Sequence, residues 1–544
     1  MKKEIDFNDK ILKEQIITYL GNKRKLINFI DESVSNILLK DKELSKKNIK
    51  DVTFFDIFAG SGIVSRYSKL KGMNTYSNDL ELYSYIIQKG IIGNNLSEIE
   101  NIFKEVYTKL LNEKVVSKKV NKNYYKEVLI YLNSLKEPKL KENYYFSKHY
   151  APKDTNNPDF DNERLFYTQE NGRKIDAIQE LIQNKEIFDE RSKNIILTSL
   201  MYNMTWHINT SGTMKGFHNG WGGKGGNAKE RILGDIILNE LPFIDGVKGN
   251  SFNDYAEKVF KNNDLGEMDI IYADPPYNQH QYSANYNHLT TLAKNDKYEP
   301  GEVVLGSRAG IRVDHTRSDF CKSSKTNEDK TLKLAEAAFM DFIKNVKAKY
   351  IIMSYSNEGV VSIDRLMDLM SEDLKNTITI EYQIHDKFKG GKGTQTSNKV
   401  MEYLIIIQQN KKQNKEDYEM IKKDLLHSTQ KTLFLDKYIN YNEIEKKEDL
   451  FTTNIKDNII EILFDTELVL NIDKKTCKIL EENISILKKK EIDILIKYEM
   501  NNLELMNFYL ESGDKELSTK LLNIFKIKKY EKEFKEFKEK IELL

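Results

Sequence analysis

The sequence predicts an open α/β sheet with an antiparallel hairpin at its end, a long helical insertion and a C-terminal helical domain. Three observations carry that expectation. Short β-branched and aromatic runs recur at 53–58, 74–79, 243–249, 269–274, 350–355, 377–385 and 400–407, and such runs read as strands. Helix-like stretches such as LKLAEAAFMDFIKNV (332–346) separate most of them, and this alternation implies a mostly parallel sheet covered on both faces. Roughly 160 residues lie between the second and third runs, far more than one crossover needs, so something is inserted there.

Taken in order, TFFDIF and NTYSND open the sheet, FIDGVKG and DIIYAD resume it after the insertion, and YIIMSY continues it. TITIEYQIH and VMEYLIII have only the loop 386–399 between them, so they should pair as the hairpin. The sheet portion is therefore expected over 1–94 and 240–410, with the insertion over 95–239. Within the insertion, residues 101–150 hold eleven lysines and five glutamates with tyrosines interleaved. The segment 209–231, NTSGTMKGFHNGWGGKGGNAKER, is glycine-rich and basic. It reads either as a flexible surface loop or as a nucleic-acid contact, with Lys215, Trp221 and Lys224 reaching phosphate and bases. From about 411 to 544 there is no proline and one glycine, Gly513, with Leu/Ile at helical spacing, which predicts the helical domain.

Composition narrows the class. The formal net charge is +1, so a nucleic-acid partner can rest only on local patches. Two cysteines far apart fit a reducing compartment and no disulfide framework, and eight scattered histidines suggest no metal cluster. The N-terminal MKKEIDFNDKILKEQ lacks an apolar signal core and no long apolar window follows, which predicts a cytoplasmic protein without a membrane span.

Two short segments carry chemistry. In FFDIFAGSG a strand ends at Asp56 and Phe58, and Ala59-Gly60-Ser61-Gly62 turns into a helix whose N–H groups face a ligand. No third glycine and no Walker lysine follow, which argues against a dinucleotide or a triphosphate. Asp79, at the end of the next run, is spaced to accept hydrogen bonds from ribose hydroxyls. The second segment, Asp274-Pro275-Pro276-Tyr277, takes two of the seven prolines in the chain. Prolines donate no N–H, so the loop presents carbonyls beside an acid, a pair of acceptors for an exocyclic amine. Tyr277 offers an exposed face for a stacked base.

FAGSG with DPPY resembles the paired signatures of S-adenosylmethionine-dependent DNA amino-methyltransferases, and the DPPY form is that of adenine N6 methylation. TYLGNKRKLINFI (18–30) is similar to the N-terminal cofactor motif of the Dam-like, alpha-group enzymes, whose target-recognition region lies in the insertion. RLFYTQENGRKIDAI (164–178), SDFC (318–321) and SYSNEG (354–359) extend the likeness over about 15–408. The resemblance implies a Rossmann-like methyltransferase sheet in which Tyr19 and Lys23 line the methionine side of the cofactor. Asp56, Phe58, Ala59, Gly60, Ser61 and Gly62 would form its floor, Asp79 would hold the ribose, and Ser251 and Phe252 would contact its adenine. Asp274, Pro275, Pro276 and Tyr277 would hold the target base, with Asn278, Gln281, Tyr282 and Tyr286 near the flipped nucleotide or its phosphate.

The expected activity is site-specific methylation of adenine N6 in double-stranded DNA by a nucleoid-associated protein. It would be either the modification arm of a restriction–modification system, with a cognate restriction endonuclease as a functional rather than a stable partner, or an orphan relative. Cytosine N4, an RNA base, a catalytically silent nucleic-acid-binding relative and a nuclease in the tail stay open as alternatives.

Overall fold

The computed structural model describes residues 5–544 apart from 118–119, 224, 227, 279–280, 303–304, 307–308, 310–311, 313, 323–331, 357–358, 387–398, 423–424, 426–444, 448–449, 456–457, 464–467, 473–493, 499–509, 511–514, 516–518, 520–521, 523–530 and 544. Its main sheet contains β1 (Thr53–Asp56), β2 (Asn74–Asn78), β3 (Asn250–Phe252), β4 (Met268–Ala273), β5 (Ala348–Ser356), β6 (Thr377–Asp386) and β7 (Lys399–Gln408). They are ordered β3-β2-β1-β4-β5-β7-β6. β1 runs parallel to β2 and β4, β2 to β3, and β4 to β5. The order reverses between β1 and β4, so the crevice beyond their carboxyl ends is the switch point at which such sheets bind ligands.

The central strands carry consecutive apolar residues at their centres because both of their faces are covered. Phe54, Phe55, Ile270 and Ile271 are fully buried. At the far edge, Ile378 N–H donates to Gln413 Oε1 (2.9 Å) and Asn410 N–H donates to Asn376 Oδ1 (3.1 Å). The start of β6 thus lies beside the end of β7. The two run in opposite directions, and the sheet is mixed.

The third strand differs from expectation. It comprises Asn250–Phe252, and 243–249 is not a strand. Asp245 instead accepts the Ser97 N–H (3.0 Å) and hydroxyl (2.7 Å) at the start of the helix Leu96–Asn112. Gly249 then lies so close to Ile92 that a Cβ would stand 2.7 Å from its side chain.

Among the described residues between β2 and β3 there are helices and no strand, including Leu96–Asn112, Tyr124–Ser134, Gln169–Ile182 and Glu190–His207. These helices share one apolar core with the helix Leu82–Ile91 and with Tyr286, Leu289 and Leu292, which follow the DPPY loop. The insertion therefore belongs to the same compact unit as strands β1 to β5, 1–381 with 404–413. Its RLFYTQENGRKIDAI segment shows how it is fixed. Asp176 accepts the Phe146 and Ser147 amides (2.7 and 3.0 Å), and a Cβ on Gly172 would stand 2.8 Å from Ser147 Cα.

The second unit is 382–403 with 414–544. Here the helical expectation is corrected. Glu445–Lys447, Leu450–Ile455 and Asn458–Leu463 form an antiparallel sheet, and Leu468–Ile472 pairs in parallel with Ile494–Tyr498. Glu531–Leu543 is helical. Runs such as NIIEIL and ILIKY are short and rich in isoleucine, whose stiff branched side chain suits a pleated surface. Over five or six residues, apolar spacing does not separate the two periods. No described helix is long and apolar enough to cross a membrane.

Candidate active site

The site is assembled by three strand ends. Beyond β1, the Ala59 amide donates to Asn78 O (2.9 Å) and the Asn78 side chain donates to Ile57 O (3.1 Å), which locks the glycine turn to the end of β2. Gly60 has φ +50°, and its amide donates to Asp79 Oδ2 at 2.7 Å. Asp79 Oδ1 accepts the Glu81 amide at 2.8 Å. Each carboxylate oxygen keeps capacity for a further donor.

Beyond β4, Asp274 faces Lys23, whose ammonium lies 3.2 Å from Oδ1 and is almost wholly buried. The same ammonium sits 5.3 Å from the centre of the Tyr277 ring. Tyr277 is half-buried rather than exposed: its ring packs on Tyr355 (5.2 Å) and its carbonyl accepts the Val360 amide (2.8 Å). Tyr19 stacks against Tyr282 and Tyr286, with centroids 5.2 and 4.8 Å away. The motif at 18–30 is thereby joined to both the glycine turn and the DPPY loop.

These groups surround one cavity of about 560 Å³. Tyr19, Lys23, Asp56, Phe58, Ala59, Gly60, Ser61, Asp79, Asp274, Pro275, Pro276, Tyr277, Asn278, Gln281 and Tyr282 all line it. Asp56, Asp79, Glu81, Asp254, Glu257, Asp274, Asp319 and Asp341 line it against Lys23, Lys258 and Arg317, so carboxyl groups outnumber cations on its wall. Burial pushes the Asp56 carboxyl up to about 7, opposed by the Ser65 hydroxyl, which donates to it at 2.6 Å. Burial, then neighbouring Asp79, pushes Glu81 up to about 8, and burial also raises Asp79.

Other expected residues lie off the cavity wall. Gly62 (φ +76°) makes room for Gln88, and Ser251 accepts the Ser77 hydroxyl at 2.9 Å. Phe252 packs edge-on against Phe55. The wall beyond β3 is built by Asp254–Lys258 instead, a few residues further on, where the rule that ligands bind at strand carboxyl ends would place it. Tyr286 is buried, and its hydroxyl accepts the Leu20 amide at 2.6 Å. Its ring supports Tyr19 rather than facing the cavity. Lys215 and Trp221 are half-buried, and the Trp221 indole donates to Thr155 O (3.1 Å). Lys224 lies outside the described residues.

Glu81 and the segment Thr316–Cys321 escaped sequence reading, although SDFC marked part of the latter. Phe320 packs edge-on against Phe58, and the Cys321 thiol donates to Pro276 O at 3.4 Å.

A switch-point cavity with a glycine turn after β1, an acid after β2 and DPPY after β4 defines an α/β methyltransferase. The chain belongs to the D12 class N6 adenine-specific DNA methyltransferase family, whose model matches residues 19–352. It is similar to the Type II methyltransferase M.NlaIII of Neisseria lactamica, 27% identical over 397 residues covering 72% of this chain and 99% of that relative. It is 26% identical to modification methylase StsI of Streptococcus sanguinis over 72% of this chain and 51% of the relative. With modification methylase LlaI of Lactococcus lactis subsp. lactis it shares 29% identity over 73% of this chain and 56% of the relative. The matches to the last two thus span about half of their length.

Proposed function

We propose that this chain transfers the methyl group of S-adenosylmethionine to N6 of an adenine flipped out of double-stranded DNA, as the modification arm of a restriction–modification system. The observation that supports this reading is a single cavity lined by both Gly60 and Asp274. The residues present suit the cofactor. Its sulfonium and ammonium are cations, the wall is rich in carboxylates, and Gly60 lets backbone approach where a Cβ would meet Tyr19. Tyr19 and Lys23 would lie on its methionine side, Asp56, Phe58, Ala59, Gly60 and Ser61 beneath it, and Asp79 at its ribose. When bound, S-adenosylmethionine supplies an electrophilic methyl group.

The protein's own task is to make N6 a better nucleophile and to aim it. Its lone pair is delocalised into the adenine ring. Asp274 and the Pro275 carbonyl accept hydrogen bonds from the two N6 protons, which favours pyramidal nitrogen and stabilises the positive charge developing there, and one of those protons leaves once the nitrogen carries the methyl group. Lys23, 3.2 Å from Asp274 Oδ1, holds that carboxylate in place. Held alignment of this kind contributes about 7–11 kcal/mol toward a two-reactant barrier. Extruding the base costs a few kcal/mol, and Tyr277 flanks the extruded ring. The insertion, with Lys215 and Trp221, supplies target recognition.

Asp274→Ala should abolish methyl transfer to duplex DNA while cofactor binding stays measurable. Turnover resembling wild type in that variant would sink the mechanism. Nucleoside analysis of the product should show N6-methyladenine; N4-methylcytosine, or activity confined to RNA, would reject the substrate.

A further inference from the structure

The segment Thr316–Cys321 lies along the loop that follows DPPY and is tied to it at three places. The Thr316 amide donates to Ser283 Oγ (3.1 Å), the Ser318 amide to Gln281 Oε1 (3.0 Å), and the Cys321 thiol to Pro276 O (3.4 Å). Arg317 stands between the first two ties. Its side chain is exposed at the edge of the cavity, where its guanidinium makes a long contact with His315 Nε2 at 3.4 Å. Asp319, two residues on, is paired with Lys322.

We infer that Arg317 binds a DNA phosphate next to the target nucleotide. The inference rests on the DNA-methylating reading of the cavity. An anion must come here if a nucleotide is to put its base against Asp274, because the phosphates on either side of it cannot be left behind. The wall they would approach is otherwise rich in carboxylates; of the other two cations on it, Lys23 is committed to Asp274 and Lys258 lies over Tyr255 on the wall beyond β3. A guanidinium at the rim meets phosphate with two parallel N–H donors. The ties on both sides of Arg317 hold it to the substrate loop rather than to the glycine turn. That position favours the phosphate over the other anion available, the carboxylate of the cofactor.

The two sources give different outcomes in one experiment. The full chain, Arg317→Ala and Arg317→Lys are compared for methyl transfer to unmodified mixed-sequence duplex DNA over a range of salt, and for S-adenosylmethionine affinity without DNA. Losing one phosphate contact should raise the KM for DNA roughly ten-fold near 0.1 M salt and flatten the log–log salt dependence by about one. Cofactor affinity should not change in Arg317→Ala, which also reports that the variant is folded, and Arg317→Lys should keep the salt slope. An unchanged slope in Arg317→Ala overturns the assignment. Weakened cofactor affinity with an unchanged KM for DNA also overturns it and gives the arginine to the carboxylate. A wild-type chain that methylates no duplex DNA overturns the underlying reading instead.

Discussion

At Gly60 the chain needs a residue without Cβ for two separate reasons. The backbone is left-handed there (φ +50°), and a Cβ would stand 2.9 Å from the Tyr19 ring. That ring cannot swing aside easily, because Tyr282 and Tyr286 stack against it. Gly60→Ala should therefore cost about 1–2 kcal/mol in backbone strain and displace Tyr19 into the cofactor's space. Gly62→Ala carries a similar strain, but its Cβ meets the Gln88 amide at 2.5 Å, behind the turn. The expected outcome is that both variants melt lower and only Gly60→Ala loses much cofactor affinity, about ten-fold or more for the 1.4 kcal/mol that a ten-fold change represents. Calorimetric titration checks this, and equal affinities in the two variants would contradict it. The motif glycines were legible in the sequence because their neighbours along the chain define the turn. The Lys23–Asp274 pair was not. The two residues are brought together only by the fold, and each had been read separately, one for the cofactor and one for the base.

At the scale of elements, a strand was legible where it is buried on both faces and illegible where it is short. β1, β4 and β5 centre on consecutive apolar residues, Phe54–Phe55, Ile270–Ala273 and Ile351–Met353, short and β-branched or aromatic enough to read as strands. β3 is three residues long, so the run before it drew the reading away. In the tail the isoleucine-rich runs are short enough to suit either period, so their strands are not legible from spacing. Another element was invisible to periodicity, the connection from the helix Asn287–Lys294 toward Thr316. It is held by Arg312, whose buried guanidinium bonds Asp296 (2.9 and 2.6 Å), Asp314 (2.9 and 2.8 Å) and Thr291 Oγ1 (3.2 Å). Arg312→Met should cost about 1.5–3 kcal/mol, the range of hydrogen bonds to charged groups, because both acids are partly exposed and regain water. The segment carrying Arg317 should loosen with it. Denaturant unfolding would measure the loss and hydrogen exchange its location. Unchanged protection at 314–322 would show that the arginine does not anchor that wall.

Over the whole molecule, buried acids set a pH dependence opposite to the usual acid-denaturation pattern. Burial lifts Asp56 from 3.8 to about 7, Asp176 from 3.8 to about 7 and Glu81 from 4.5 to about 8, and it lifts Asp79 as well. The native state therefore holds more protons than the unfolded chain between these paired values. Stability is fully present below the unfolded values and is lost as pH rises through the folded ones. His288 acts the other way: burial lowers it from 6.5 to about 3, so the unfolded chain takes up its proton below 6.5. Above 6.5 that opposition is gone. Lys69, lowered to about 8, and Arg66, lowered to about 9, begin to act only at the upper end. Between pH 6.5 and 8 the melting temperature should therefore fall, each acid contributing at most about 1.4 kcal/mol per pH unit. Glu81→Gln removes one of these protons without changing shape and should flatten the slope. A cation in the cavity favours the ionised carboxylates, so S-adenosylmethionine binding near pH 7 should release protons, and fewer in Glu81→Gln. Titration calorimetry in two buffers of different ionisation enthalpy reads that number directly. Equal release from both proteins would mean that Glu81 does not sense the ligand, leaving Asp56 and Asp79 as the acids that do.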